Sequence, residues 1–454
     1  MAAIDAEMEA TAERGGGRVD RLLRLAFIVA AGLVIFIAGA LASIANIFPG
    51  PELAAAYQGG RALYEQLTQR SDPFATDLWK PARTTRKGTT VYEPSLAQAG
   101  LTLYASGHEA AAYLMDMEGR VLHTWRRPYS SVWTETAEIK HPQPDAYVYF
   151  RKVKLLDDGE LLAIYEGVGD TPYGYGMVKL DRDSNVLWSY LGHTHHNFDV
   201  GPDGRIYLLT HDFSSKAMPD FGNLQSPRID DYLVVLSPEG RELQKIPLIE
   251  PVARSPYRHL LHTVSSYSTG DPLHTNDVDL ITAETARNFP YGKPGQVLLS
   301  FRELGAIGVL DLERRQLVWM ARGPWIGQHD PDILPDGHIV LFDNYGQFAV
   351  PGGASRVLEF DPRSMAITWQ YAGDSARPFD SAIRSEQQRL ANGNTLIVES
   401  NGGRMLEVMP TGRIVWEFTN PVRSAKGEKI PIIASAERLS PDTVAFTLSS
   451  PSGG

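Results

Sequence analysis

The chain has 454 residues, 43% of them hydrophobic, and a formal net charge of -11 at pH 7. That length makes one large domain or two medium ones, and an acidic balance with no basic patch excludes a nucleic-acid or anionic-membrane surface. The absence of cysteine excludes disulfides, cysteine-ligated zinc, iron–sulfur clusters and thiol nucleophiles.

In chain order, the first element is an apolar run. From Leu25 to Pro51 no residue is charged, and Leu25 to Ile47 is strongly apolar. About 20 such residues span a bilayer as a helix. Arg14, Arg18, Arg21 and Arg24 precede the run, so the positive-inside rule predicts a cytoplasmic tail over 1–24 and a membrane anchor over 25–48. The rest then lies outside, as the periplasmic part of a single-pass protein of the cytoplasmic (inner) membrane. A cleaved signal peptide is the rival reading, with Ala40-Leu-Ala42 as its cleavage candidate. The run is longer than an h-region of about 7–15 residues, which favours the anchor. Residues 49–100 carry Pro51, Pro73, Pro81 and Pro94 and read as a short helical stretch over 52–70 followed by an extended linker.

From residue 101 the chain is β-rich and repetitive. Leu156-Asp-Asp-Gly159, Leu334-Pro-Asp-Gly337 and Leu390-Ala-Asn-Gly393 each lead into an apolar strand. Asp-Gly and Asn-Gly between apolar strand residues are hairpin signals. Trp125, Trp188, Trp319, Trp369 and Trp416 recur on predicted fourth strands, with 50 residues from Trp319 to Trp369 and 47 from Trp369 to Trp416. Four strands per unit at that period predict a β-propeller. Five complete units fall near 148–190, 196–248, 274–320, 329–371 and 385–418. Ser435 to Leu448 reads as the first two strands of a sixth blade and Ala112 to Trp125 as its last two. Joined, they close a six-bladed, all-β ring over 101–454 and remove its exposed edge. Insertions at 212–231, 249–273 and 281–294 are expected as loops on a face of the ring.

Three segments share one pattern: His196-Asn-Phe-Asp199-Val200, His274-Thr-Asn-Asp277-Val278 and His329-Asp-Pro-Asp332-Ile333. Equivalent residues in repeated units sit at equivalent places around an axis, so three imidazoles are expected at one centre. His196 lies eight residues before Gly204 and His329 eight before Gly337; the same offset gives Arg151 and Ser385. Seven residues after the turn glycines come Glu166, His211, Arg302 and Asn344. A lone polar residue on an inner strand usually just hydrates the channel. Three in matched positions beside Arg302 weigh against that reading. Three His also suit zinc with an open position, but a guanidinium repels a cation and suits sulfate or phosphate. The Asp of each motif pins its strand or the neighbouring His.

Leu273-His-Thr-Asn276, Ser300-Phe-Arg302, Gly327-Gln-His-Asp330 and Leu334 through Asn344 resemble the bacterial arylsulfate sulfotransferase family, over roughly residues 100–450. The resemblance implies transfer of a sulfuryl group from a phenolic sulfate ester to a phenol or other hydroxyl, with no cofactor and no adenylylated donor. No P-loop pattern occurs here. By resemblance His329 matches the transiently sulfated nucleophile, and His196, His274 and Arg302 match the groups that hold the sulfuryl oxygens. Asn276 comes with the same motif as a substrate contact. Trp325, Tyr345 or Phe198 would stack on the aryl ring, each with core packing as its alternative. The expected partners are a small aryl sulfate, a phenolic or glycan acceptor and the membrane, with an envelope complex or homo-oligomer as further assembly. The family's N-terminal β-domain and disulfide have no counterpart here. The competing functional readings are a non-catalytic propeller subunit of an envelope complex and, third, a metal-dependent hydrolase.

Overall fold

The computed structural model describes residues 2–44, 47–48, 50, 72–346 and 355–441, and divides at Asp72 into two units. The first unit is a helix, Ala2–Ile44. Within it Arg21–Ala42 is long and apolar enough to cross a membrane, with a mean hydropathy of 2.7. Its side chains from Leu22 to Phe36 are largely exposed. The helical stretch expected over 52–70 falls outside the described residues.

The second unit is a six-bladed β-propeller. Each blade is an antiparallel meander running outward from the channel. Blade 1 consists of Val148–Leu155, Leu161–Gly167, Gly174–Leu180 and Val186–Tyr190. Its second strand is buried throughout, whereas its fourth alternates between half-buried and exposed. That is the difference expected between a strand covered on both faces and one at the rim. Blades 2, 3, 4 and 5 begin at Thr194–Val200, Thr275–Leu280, His329–Ile333 and Glu386–Arg389. The five units expected from the Gly and Trp spacing are all present.

Closure differs in detail from the two-plus-two split. One C-terminal strand, Ile433–Leu439, pairs with Leu101–Ser106, and Ala111–Met115 and Val121–Arg126 complete blade 6. The N-terminal side thus supplies three strands. Leu101-Thr-Leu-Tyr-Ala-Ser106 lacks the turn glycine that marks the other second strands, because its hairpin partner is over 300 residues away. Residues 442–448 lie outside the described residues. The stretch read as linker also contributes strands. Gly88–Tyr92 adds a fifth strand to blade 5, and Trp79–Pro81 pairs with Lys429–Pro431.

The core is six apolar clusters, one between each pair of adjacent blades. The repeated Trp residues bolt the blades together. Trp188, Trp369 and Trp416 donate their indole N–H to Pro238, Pro410 and Met117, each a carbonyl in the turn of the next blade. Trp319 instead stacks on Tyr291 at 4.9 Å. Of the insertions, 249–273 forms a helix, Ile249–Arg254, and a 3-10 turn, Arg258–Thr263, packed into the core between blades 2 and 3.

Candidate active site

Five of the six innermost strands break register at the same level: between Phe150 and Lys152, His195 and Phe198, Thr275 and Asp277, His329 and Asp332, and Ile433 and Ser435. A bulge re-aims the residue it displaces. Here the displaced Arg151, His196 and Asn276, together with His329 and Ser385, line one small cavity. Several residues there have positive φ without being glycine: His196 at 55°, His274 at 44°, Asp330 at 54° and Ser385 at 78°. Such conformations persist only where surrounding contacts fix them. Glu166 does so for blade 2 by accepting the His196 backbone N–H at 2.9 Å and the Tyr149 hydroxyl at 2.7 Å.

The ladder corrects one register. Val200 pairs with Ile206, Ile333 with Ile339 and Leu280 with Val297. The blade 3 residue equivalent to His196 and His329 is therefore Asn276, and Asp279 rather than Asp277 matches Asp199 and Asp332. His274 stands two residues earlier, just before its strand. The three imidazoles still meet: the His196 ring centre is 5.0 Å from that of His274 and 6.3 Å from that of His329.

His329 has a defined tautomer. Asn344 Nδ2 donates to the carbonyls of Ser381 at 2.7 Å and Arg384 at 3.0 Å, so its Oδ1 is turned to His329. His329 Nδ1 lies 2.8 Å from that Oδ1 and 3.1 Å from the Gly327 carbonyl. Two acceptors on Nδ1 place the proton there and leave Nε2 with a lone pair. Burial, then the Arg302 and Arg151 guanidinium groups, push the His329 pKa well below the ordinary value.

His274 is the opposite case. Burial opposes its charge, but the Asp271 carboxylate, 2.5 Å from Nδ1, raises its pKa above the ordinary value. Arg302 pairs with Glu303, and its backbone N–H reaches the His274 carbonyl at 3.3 Å. Burial lowers His196 well below the ordinary value. The site thus holds a neutral imidazole with a free lone pair, a second imidazole biased to the cation, and two guanidinium groups. It suits an anion that reacts with a nucleophile.

Arg151 donates to the Ala434 carbonyl at 3.0 Å and its Nε lies 3.9 Å from Glu166. The glycine register places Arg151, Glu166 and Asn344 but assigns them no role. Asp271 and Tyr173 lie in loops outside the repeat. Only the three-residue step from Asp271 to His274 hints at their pairing. Tyr173 stands edge-on to His196 at 5.6 Å, with its hydroxyl 3.4 Å from His196 Nδ1. Asn276 Nδ2 donates to the Gln328 carbonyl at 2.7 Å, and its buried Oδ1 has no partner among the described residues.

The expected aryl platforms separate. Trp325 packs on Phe360 at 5.0 Å and donates to the Gly305 carbonyl, within the core between blades 3 and 4. Phe198 belongs to the core between blades 1 and 2. Tyr345 flanks Gly327, two residues from His329. The motif aspartates pin strands: Asp199 accepts the Leu280 N–H at 2.9 Å, tying blade 2 to blade 3.

A closed propeller with cationic and imidazole groups converging on its channel is a scaffold for handling an anion. The Arylsulfotransferase (ASST) family model matches residues 152–421, and the chain belongs to that family. Membership supports an arylsulfotransferase-type activity on an aryl sulfate donor and an acceptor. No curated protein gives a significant match. Among solved structures, a Bacteroides caccae protein of unknown function is 10% identical with a TM-score of 0.46, covering 75% of this chain and 98% of its own. Inactive virginiamycin B lyase from Staphylococcus aureus with quinupristin is 11% identical with a TM-score of 0.36, covering 63% and 74%. The Cps50 (Swd1) propeller domain of Myceliophteria thermophila is 10% identical with a TM-score of 0.41, covering 76% and 90%.

Proposed function

We propose that the protein moves a sulfuryl group from a phenolic sulfate to a phenol or other hydroxyl acceptor through a sulfohistidine at His329. The observation that carries this reading is the Asn344 clamp, which leaves the His329 Nε2 lone pair as the available nucleophile. In the first half-reaction Nε2 bonds to sulfur and the sulfur–oxygen bond to the aryl group breaks. A phenolate leaves readily, since a phenol has a pKa near 10, roughly the Tyr value. The His274 imidazolium supplies its proton. In the second half-reaction the acceptor hydroxyl attacks sulfur, gives its proton to His274 and releases neutral His329.

Arg302, Arg151 and His196 stabilise charge on the equatorial sulfuryl oxygens, and the second Nδ2 proton of Asn276, beyond the one given to the Gln328 carbonyl, completes the cradle. Tyr345, beside Gly327, is the aryl contact; Trp325 acts through the blade 3–4 core. No adenylylated sulfate enters the scheme. The N-terminal helix anchors the enzyme in the cytoplasmic membrane, with the propeller on the outer side, and this favours a membrane-proximal phenol or glycan as acceptor.

A covalent intermediate requires ping-pong kinetics. Initial rates with an aryl sulfate and a phenol, each varied, should give parallel double-reciprocal lines. Intersecting lines would contradict the sulfohistidine, and no phenol release with any aryl sulfate would favour a non-catalytic propeller subunit.

A further inference from the structure

Behind the channel lies a second cluster that the sulfuryl-transfer scheme does not use. Three adjacent strands of blade 2 each place one group on the same face: His195, His211 and Asp231. His211 pairs directly with Asp231 across the ladder, and His195 sits on the neighbouring strand. Their ligand atoms all lie within 4.8 Å of one another. Exposure is 0% for His195, 1% for His211 and 2% for Asp231.

Two of these groups are unsatisfied: His195 Nε2 and His211 Nδ1 are buried with no hydrogen-bond partner among the described residues. Buried polar atoms are nearly always paired, and an orphan calls for an explanation such as an ion. His195 Nε2 stands 3.7 Å from Asp231 Oδ1. Two less deeply buried clusters differ in this respect. His193 engages Asp212 at 3.0 Å and His338 engages Glu359 at 2.8 Å, so their imidazoles are already partnered.

We propose that His195, His211 and Asp231 form a zinc-type metal site behind the His196 wall of the channel. Two imidazoles and one carboxylate match zinc with one open position, and disfavour calcium or magnesium, which take oxygen ligands. Zinc bonds of about 2.0–2.2 Å in a tetrahedron set ligand atoms about 3.3–3.5 Å apart; the His195–Asp231 pair at 3.7 Å is near that span, and the His195 and His211 rings, stacked at 4.2 Å with 21° between their planes, must turn to bring both lone pairs onto one ion. The supporting contacts are those of a metal site. Asp231 Oδ2 accepts the Thr275 N–H at 2.6 Å, and His195 Nδ1 lies 2.7 Å from His196 Nδ1.

The nearby cations do not forbid it: His274 is paired with Asp271 and Arg302 with Glu303. Tyr173 stands edge-on to His195 at 5.8 Å and to His211 at 4.6 Å, between these rings and His274. One contact must open. The Gly174 N–H approaches His211 Nε2 at 3.3 Å, and a cation on Nδ1 moves the ring proton to Nε2. A cation on His195 Nε2 likewise keeps the other proton on Nδ1, which then donates to His196 and leaves the His196 Nε2–H for the channel. His195 would thereby become a positioning residue for the site in front of it.

The test needs no turnover and so stands apart from the sulfuryl-transfer reading. The full chain in detergent is stripped with a chelator, then titrated with zinc chloride, and metal is counted after gel filtration. About one tightly held zinc per chain is expected. His195→Gln and Asp231→Asn should weaken uptake by more than about 100-fold while keeping the near-UV circular dichroism of the wild type. His329→Ala should bind zinc as the wild type does. X-ray absorption of the zinc-loaded wild type provides the reading should a variant misfold. Two imidazole nitrogens and carboxylate oxygen are expected in its first sphere. No tight uptake by the wild type, undiminished uptake in both variants, or a sphere without two imidazoles would overturn the site.

Discussion

At the scale of single residues the chemistry depends on proton placement. Asn344 holds the His329 proton on Nδ1 and Asp271 keeps one on His274. Asn344→Leu removes the clamp without removing the nucleophile, and kcat/KM with an aryl sulfate should fall by about 10–100-fold. Losing Arg302 by Arg302→Gln should cost about 100–1000-fold, as removal of a charge-stabilising donor does.

The pH profile follows from the same pair. His274 has its folded pKa raised by Asp271 and, more weakly, by Asp231, against burial and Arg302. Its cationic form is present below that pKa and lost as pH rises through it. Asp271→Asn should therefore move the alkaline limb of kcat/KM to lower pH. An unmoved limb would remove His274 from the proton-transfer role. The His329 pKa is depressed, so the acid limb should fall below the ordinary His value of about 6.5.

His196, His329 and Arg302 were legible because repeated strands repeat their register, and His274 because it opens a matching His-x-x-Asp pattern although it stands two residues out of register. Asp271, Tyr173 and the shift that puts Asn276 in the His196 position were not legible. They depend on an insertion and on bulges, which a repeat pattern passes over. Pattern alone left Trp325 open between core and cavity, since an aromatic near a motif serves either equally well until its neighbours are known, and its neighbours are those of the blade 3–4 core.

At the scale of elements, the bulged inner strands aim side chains and the outer strands tie blades. Trp416 is fully buried with its indole N–H on the Met117 carbonyl. Trp416→Phe keeps most of the packing and loses that hydrogen bond, which should destabilise by about 1 kcal/mol. Trp416→Ala should cost about 3–5 kcal/mol, the range for deleting a buried large aromatic. Equal losses in urea unfolding would deny the bolt its separate contribution. The blades and their count were readable from hairpin turns and the Trp period. The extra strand Gly88–Tyr92 was not, because its pairing with Ile414–Thr419 joins segments more than 300 residues apart.

At the scale of the molecule, closure depends on Ile433–Leu439 sealing blade 6 against Leu101–Ser106. Removing residues 429–454 would expose Leu101–Ser106 as an inner edge, and such edges aggregate. The truncated chain should be insoluble or melt without cooperativity. The same arrangement brings groups from blades 1, 2, 3, 4 and 5 to one cavity, so the site exists only in the closed ring.

The central claim is that His329 carries the sulfuryl group. Its most direct test is the intact mass of the purified protein after brief exposure to an activated aryl sulfate without acceptor. A gain of about 80 Da, one SO₃ on the nucleophile, is predicted, together with its loss on adding a phenol and its absence in His329→Ala. Phenol release with no adduct on His329, or the same adduct in the His329→Ala protein, would contradict the account.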